Sequence, residues 1–250
     1  MNGRRRARPR VTLTTGDSTK RATKKSQVTG KPKTKTKPKK VVNLSGLELR
    51  SIEDFHRELN LSSTLSTSFK KGNFKTCKAP GIDFSQVAKS FNGADFTGAD
   101  LTGASFTSTN LHKIDFTETN LSAAKLCGVY VKNAVIVEAN LTEADLTGVI
   151  LEGVKLNGSD LTGAVLSGAT LKKVNLAGVN LSGAQCTLAT FIDVSFSRIE
   201  LAGTSLFHAT LKRVDLRCTD LRLVELEGVK IQDCKIDETT LWPGGFTLPN

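Results

Sequence analysis

The sequence predicts a repeat solenoid: a rod of short stacked coils, with a disordered basic tail and a short cap helix ahead of it. Three observations point there. An apolar residue recurs every five positions from Phe91 to Leu241, the residue two places before it is small or β-branched, and the positive charge is gathered at one end of the chain. An amphipathic helix repeats at 3.6 residues and a half-buried strand at 2.0, so neither accounts for a sustained five. A unit that buries nothing alone and must stack on its neighbours does.

The tail comes first. Of 250 residues, 35 are Lys or Arg and 24 are Asp or Glu, yet fifteen of the bases and a single acid, Asp17, lie in residues 1–40. That stretch carries +14 and the rest of the chain −3. Beyond Met1, its sizeable apolar residues are Val11, Leu13 and Val28. These are too few to offset the entropy of ordering, so residues 1–41 are expected to be disordered. Arg4, Arg5, Arg6, Arg8 and Arg10 form one basic cluster, and Lys31, Lys33, Lys35, Lys37, Lys39 and Lys40 form another. Such a segment reads as an arm for nucleic acid or another polyanion, or as a nuclear import address. The plain alternative is a solubilising linker or a delivery segment without a partner. A mitochondrial transit peptide shares the basic, acid-poor composition but needs an amphipathic helix that is missing here. With no aromatic ring to stack on bases, sequence-specific recognition is not expected. No apolar stretch follows Met1–Arg10, so no secretory signal is expected, and no run approaches the ~18 apolar residues of a membrane span.

Residues 42–66 are expected to cap the rod. Ser51 and Asp54 make a capping-box-like start, and Ile52, Phe55 and Leu59 fall on one face of a helix over 51–60. Such a cap covers the backbone edge of the first coil, which would otherwise invite end-to-end pairing.

The repeat itself spans 67–241. From Phe91 to Leu241 there are thirty-one centres: twenty Leu, six Phe, Val131, Ile136, Cys186, Ile231 and Ile236. Two places before the centres, from Ala94 to Thr239, stand twelve Ala, nine Val, five Thr, two Ile, Ser159 and Cys234, and two places after the centres Gly occurs thirteen times. An offset set, Phe69, Phe74, Ala79 and Phe84, adds one coil, with a slip of seven between Phe84 and Phe91. Stretches such as Ala94-Asp95-Phe96-Thr97-Gly98, Ala99-Asp100-Leu101-Thr102-Gly103 and Ala144-Asp145-Leu146-Thr147-Gly148 closely resemble the pentapeptide-repeat family, whose motif is A(D/N)LXX. The resemblance implies an all-β fold, a right-handed quadrilateral β-helix with four pentapeptides per coil, centre and minus-two side chains inward. Leu at 101, 121, 141, 161, 181, 201, 221 and 241 would then form one identical ladder. Residues 242–250, with the only Trp, read as a second cap or a dimer contact. Family members often dimerise through that end, so a homodimer is expected as an option.

Little in the sequence points to catalysis, and no enzyme, cofactor or metal site is expected. The Asp/Asn column (Asp95, Asp100, Asn110, Asp115, Asn120, Asn140, Asp145, Asp160) is read as bonding locally to turn backbone. His112 and His208 fall on different faces without a nucleophile beside them. Five cysteines, at 77, 127, 186, 218 and 234, lack a CxxC pair and read as free thiols of a reducing, intracellular compartment, cytoplasm or nucleus.

What remains is the outer surface. One face is expected to be basic through Lys113, Lys132, Lys172, Lys173, Lys212, Arg213 and Lys230, against Glu152, Asp193 and Asp233. The opposite face carries Asp100, Glu143, Asp160, Glu200 and Asp220 against Arg222. Tyr130 with Ile150, and Leu188 with Phe207, are apolar where the motif allows polar side chains, and are candidate contacts for a protein partner. The function expected is a non-catalytic scaffold or adaptor tethered by a cationic tail. Two alternatives are a DNA mimic, like the family's gyrase-binding fluoroquinolone-resistance proteins, and a secreted effector or viral component with an N-terminal delivery signal.

Overall fold

The computed structural model describes residues 42–59 and 68–248. The tail and its two basic clusters lie outside the described residues.

Stacking is visible as parallel pairing between residues twenty apart. Six three-residue strands, β1 (Tyr130–Lys132), β2 (Ile150–Glu152), β3 (Thr170–Lys172), β4 (Thr190–Ile192), β5 (Thr210–Lys212) and β6 (Lys230–Gln232), form one parallel sheet in chain order. They define five coil-to-coil steps. Three further ladders of single bridges run alongside, through Asp95–Asp115–Val135, Asp100–Asn120–Asn140 and Ser105–Lys125–Asp145. Four ladders per coil make a four-sided rod. Centre and minus-two side chains fill the lumen: Leu101, Leu121, Leu141, Leu161, Leu181, Leu201 and Leu221 are all buried, as are Ala94, Ala144, Val179 and Ala184. Some minus-two residues are polar, and these are satisfied. The Oγ1 of Thr119 donates to the carbonyl of Phe96 at 2.9 Å and that of Thr204 to Leu181 at 2.7 Å, each one coil back.

The corners explain the glycines. The plus-two residue sits at left-handed φ, for example +63° at Gly148, a conformation that costs an L-residue about 1–2 kcal/mol. Non-glycine residues accept the same geometry at Ala123 (φ 54°) and Leu188 (φ 58°).

The N-terminal end is sealed by phenylalanine. Helix α1 (Ile52–Leu59) starts as expected: the Asp54 amide donates to Ser51 Oγ at 3.2 Å, and the Asp54 carboxylate accepts from the Arg50 amide at 2.8 Å. Its Phe55 is fully buried against Phe69, Phe74 and Phe84, with ring centroids 5.5–6.5 Å apart. The rings continue up the lumen, Phe74 on Phe96 at 4.4 Å and Phe84 on Phe106 at 4.6 Å. The slip between Phe84 and Phe91 is taken up by a 3-10 turn, Phe84–Gln86, whose Asp83 carboxylate caps the Ser85 amide.

Two findings depart from the sequence reading. Pairing begins inside the expected cap: Asn43 bridges Asn73, Glu48 bridges Lys78, and Leu44 and Leu49 are buried as centres. Two repeats precede the helix, too short a run to show as a period. At the other end, Leu241 leaves the ladder. It bridges Asp220 and is 41% exposed, while Thr240 is buried and donates to the Leu216 carbonyl at 2.9 Å. The turn held by Asp237, whose carboxylate accepts from the Thr239 amide, takes one extra residue and shifts the register. Trp242 thereby moves to the centre position, packs on the core and stacks on Phe246 at 4.9 Å.

Candidate interaction surface

The β1–β6 sheet is one flat side of the rod, and its strands display two outward columns. The minus-one column runs Tyr130, Ile150, Thr170, Thr190, Thr210, Lys230, and the plus-one column Lys132, Glu152, Lys172, Ile192, Lys212, Gln232. Tyr130 and Ile150 are direct register partners, 40% and 44% exposed.

Charge on this face is less free than its sum implies. The Tyr130 hydroxyl donates to Glu152 Oε2 at 2.5 Å, and the same carboxylate pairs with Lys132 at 3.2 Å and Lys172 at 3.6 Å. The Tyr130 hydrogen bond first, then that from Lys132, holds the Glu152 carboxyl down at about 2. The same bond pushes the Tyr130 hydroxyl up. Arg213 grips Asp193 with two nitrogens, at 2.6 and 3.0 Å, and keeps that carboxyl low. Of the seven basic residues expected on this face, Lys132, Lys172 and Arg213 are thus paired, while Lys113, Lys173, Lys212 and Lys230 make no ion pair among the described residues. Sequence reasoning counted these charges without pairing them. The signal was present, since Lys132, Glu152 and Lys172 are spaced by one coil each.

On the opposite side three of the five acids are also engaged, while Glu143 and Glu200 make no ion pair among the described residues. Asp100 and Asp160 accept from the amides and hydroxyls of Thr102 and Thr162, and Asp220 is clasped by Arg222 at 2.7 and 3.0 Å. Asn140 Nδ2 donates to Asn120 Oδ1 at 3.2 Å, bonding one coil to the next. Leu188 and Phe207 are neighbours, the Leu188 amide donating to the Phe207 carbonyl at 2.9 Å. Leu188 is 64% exposed, whereas Phe207 is half-buried with its ring edge on His208 at 4.2 Å.

His112 and His208 occupy separate faces. His112 packs edge-on against Tyr130 at 4.9 Å, with its Nδ1 buried and unpartnered among the described residues. Cys77 and Cys186 are buried, and burial pushes both thiols up to about 12. Among the described residues no group of three His, Cys, Asp or Glu is placed to hold a metal ion, and no helix is long and apolar enough to cross a membrane.

Twenty-residue coils, four bridge ladders and a lumen of Leu and Ala define a four-sided parallel β-solenoid. Residues 90–122, 114–153, 151–183, 169–206 and 184–222 match the family described as pentapeptide repeats (8 copies), and the chain belongs to that family. Solved structures similar to it include HetL, a pentapeptide repeat protein involved in heterocyst differentiation regulation from the cyanobacterium Nostoc. It is 28% identical over 77% of this chain and 82% of its own, with a TM-score of 0.48. A trypsin-treated form of QnrB1, a plasmid-mediated fluoroquinolone resistance protein, is 18% identical over 73% of this chain and 87% of its own, with a TM-score of 0.50. No curated protein matches the chain closely enough to count as a relative.

Proposed function

We propose that the chain is a non-catalytic interaction rod: residues 1–40 hold nucleic acid or another polyanion, and the outer faces of the β-solenoid dock a protein partner. The observation that carries this is the separation of charge, +14 on the tail against −3 on all that follows. A duplex-DNA mimic would need a row of free carboxylates. Asp220 is neutralised by Arg222, and Asp100 and Asp160 bond to their own turn backbone. Glu143 and Glu200 alone of the five acids are left without a partner among the described residues, too few for such a row, which favours the adaptor reading. The separated histidines and the two buried thiols support the absence of a nucleophile–base pair. Free cysteines fit a reducing compartment.

Binding by such a tail proceeds chiefly through counterion release. Fluorescence anisotropy of a labelled twenty-base-pair DNA and an RNA hairpin should give affinities that differ little between sequences. Both should fall roughly a hundredfold or more between 50 and 200 mM salt. Binding that resists salt, or that selects one sequence strongly, overturns the polyanion reading.

A further inference from the structure

Resting on the reading that the rod's faces dock a protein, we propose that Tyr130, Ile150 and the lysines around them form one docking site for an extended acidic segment carrying apolar side chains. Along the minus-one column only the first two strands are apolar; the next three present Thr170, Thr190 and Thr210. Two exposed apolar side chains in direct register make a continuous patch rather than scattered exposure. Lysines rim it: Lys132 on the strand of Tyr130, Lys172 on β3, and Lys113 and Lys173 on the adjoining turns. Four cations stand against Glu152, and Asp193 beside Lys172 and Lys173 is already matched by Arg213, so the rim stays positive and the complementary occupant is anionic.

The patch is also held ready. The Tyr130 ring is braced by His112, its hydroxyl is tied to Glu152, and Glu152 fixes Lys132 and Lys172. Binding to side chains already in place loses less conformational freedom. Both backbone edges of β2 are used by β1 and β3, so recognition proceeds through side chains rather than by strand addition. From Lys113 to Lys173 the rim crosses three coil steps, roughly 14 Å, the reach of about four extended residues. A nucleic acid would want successive rings to stack on, and Ile150 supplies none. An acidic peptide with an apolar side chain fits both features.

The test uses the full chain and three labelled probes: a ten-residue peptide of eight Glu around two central Leu, the same peptide with Ser for Leu, and a ten-nucleotide oligothymidylate. The Leu peptide should bind about tenfold tighter than the Ser peptide, the gain from partly burying two side chains. A Tyr130→Ser, Ile150→Thr double variant places hydroxyls where the column already carries Thr, so it should melt like the parent. It should also bring that ratio close to one. Lys172→Gln with Lys173→Gln should weaken both peptides while preserving their ratio. The tail contributes a salt-sensitive background that ignores Leu, so failure of the tail reading leaves the ratio intact. Equal binding of the two peptides by the parent overturns the site, as does an unchanged ratio in the double variant. Loss of oligothymidylate binding in that variant overturns it in favour of nucleic acid.

Discussion

Leu161 lies 1% exposed between the buried Leu141 and Leu181, and the nearby Ser159 hydroxyl is already committed to the Ile136 carbonyl. Leu161→Asp would bury a carboxylate without a partner, at a cost of roughly 3–5 kcal/mol or more. That approaches the net stability of a domain, so the variant should lose its β-type circular dichroism at temperatures where the parent is folded. Burial likewise silences Cys77 and Cys186, whose thiols titrate only near 12, while Cys218 is exposed. At pH 8 a thiol reagent such as dithionitrobenzoate should label Cys218 in the native protein and reach Cys77 and Cys186 only on unfolding. Because both thiols keep their protons in the folded chain, the stability they contribute is present below about pH 8.5. It should be lost as pH rises toward 12, a trend visible in melting temperature. The Asp/Asn column was legible from sequence, since a short polar side chain beside a turn has its own backbone within reach. The pairing of Glu152 is carried by the twenty-residue register instead: Tyr130 and Lys132 lie one coil before it and Lys172 one coil after, so face-by-face charge counting alone does not show it.

Among the elements, α1 and the corners carry the sharpest expectations. Phe55 plugs the first described coils, so Phe55→Ala should cost roughly 3–5 kcal/mol in denaturant unfolding and expose the N-terminal edge to pairing. The corners predict opposite signs for opposite exchanges. Gly148→Val forces a β-branched residue to φ near +63° and should destabilise by about 1–2 kcal/mol, although nothing stands within 4 Å of the new Cβ. Ala123→Gly relieves the same strain at φ 54° and should stabilise by up to about 1 kcal/mol. The coils were legible because every one of them must present an apolar centre. Interruptions were legible only where a long periodic run flanked them. The slip after Phe84 showed as a spacing of seven. The early pair Leu44 and Leu49 has no run behind it, and the one-residue slip before Trp242 leaves a leucine where the period wants one.

For the whole molecule, acid and salt act on different parts. Asp215 and Asp220 are held down to about 2, chiefly by hydrogen bonds from Arg217 and Arg222. The stability they contribute is present above pH 4 and should fade as pH drops through 4 toward 2, modestly because both pairs are exposed to water. Salt instead acts on the tail. The claim that one end of the chain captures polyanions while the rod serves protein contact is tested most directly by DNA-duplex binding of the full chain and of residues 41–250, side by side at low and high salt. The account predicts that removing residues 1–40 abolishes most of the affinity and most of its salt dependence, because the few unpaired lysines of the β1–β6 face are outnumbered by the fifteen cations of the tail. Equal affinity of the two chains would contradict it.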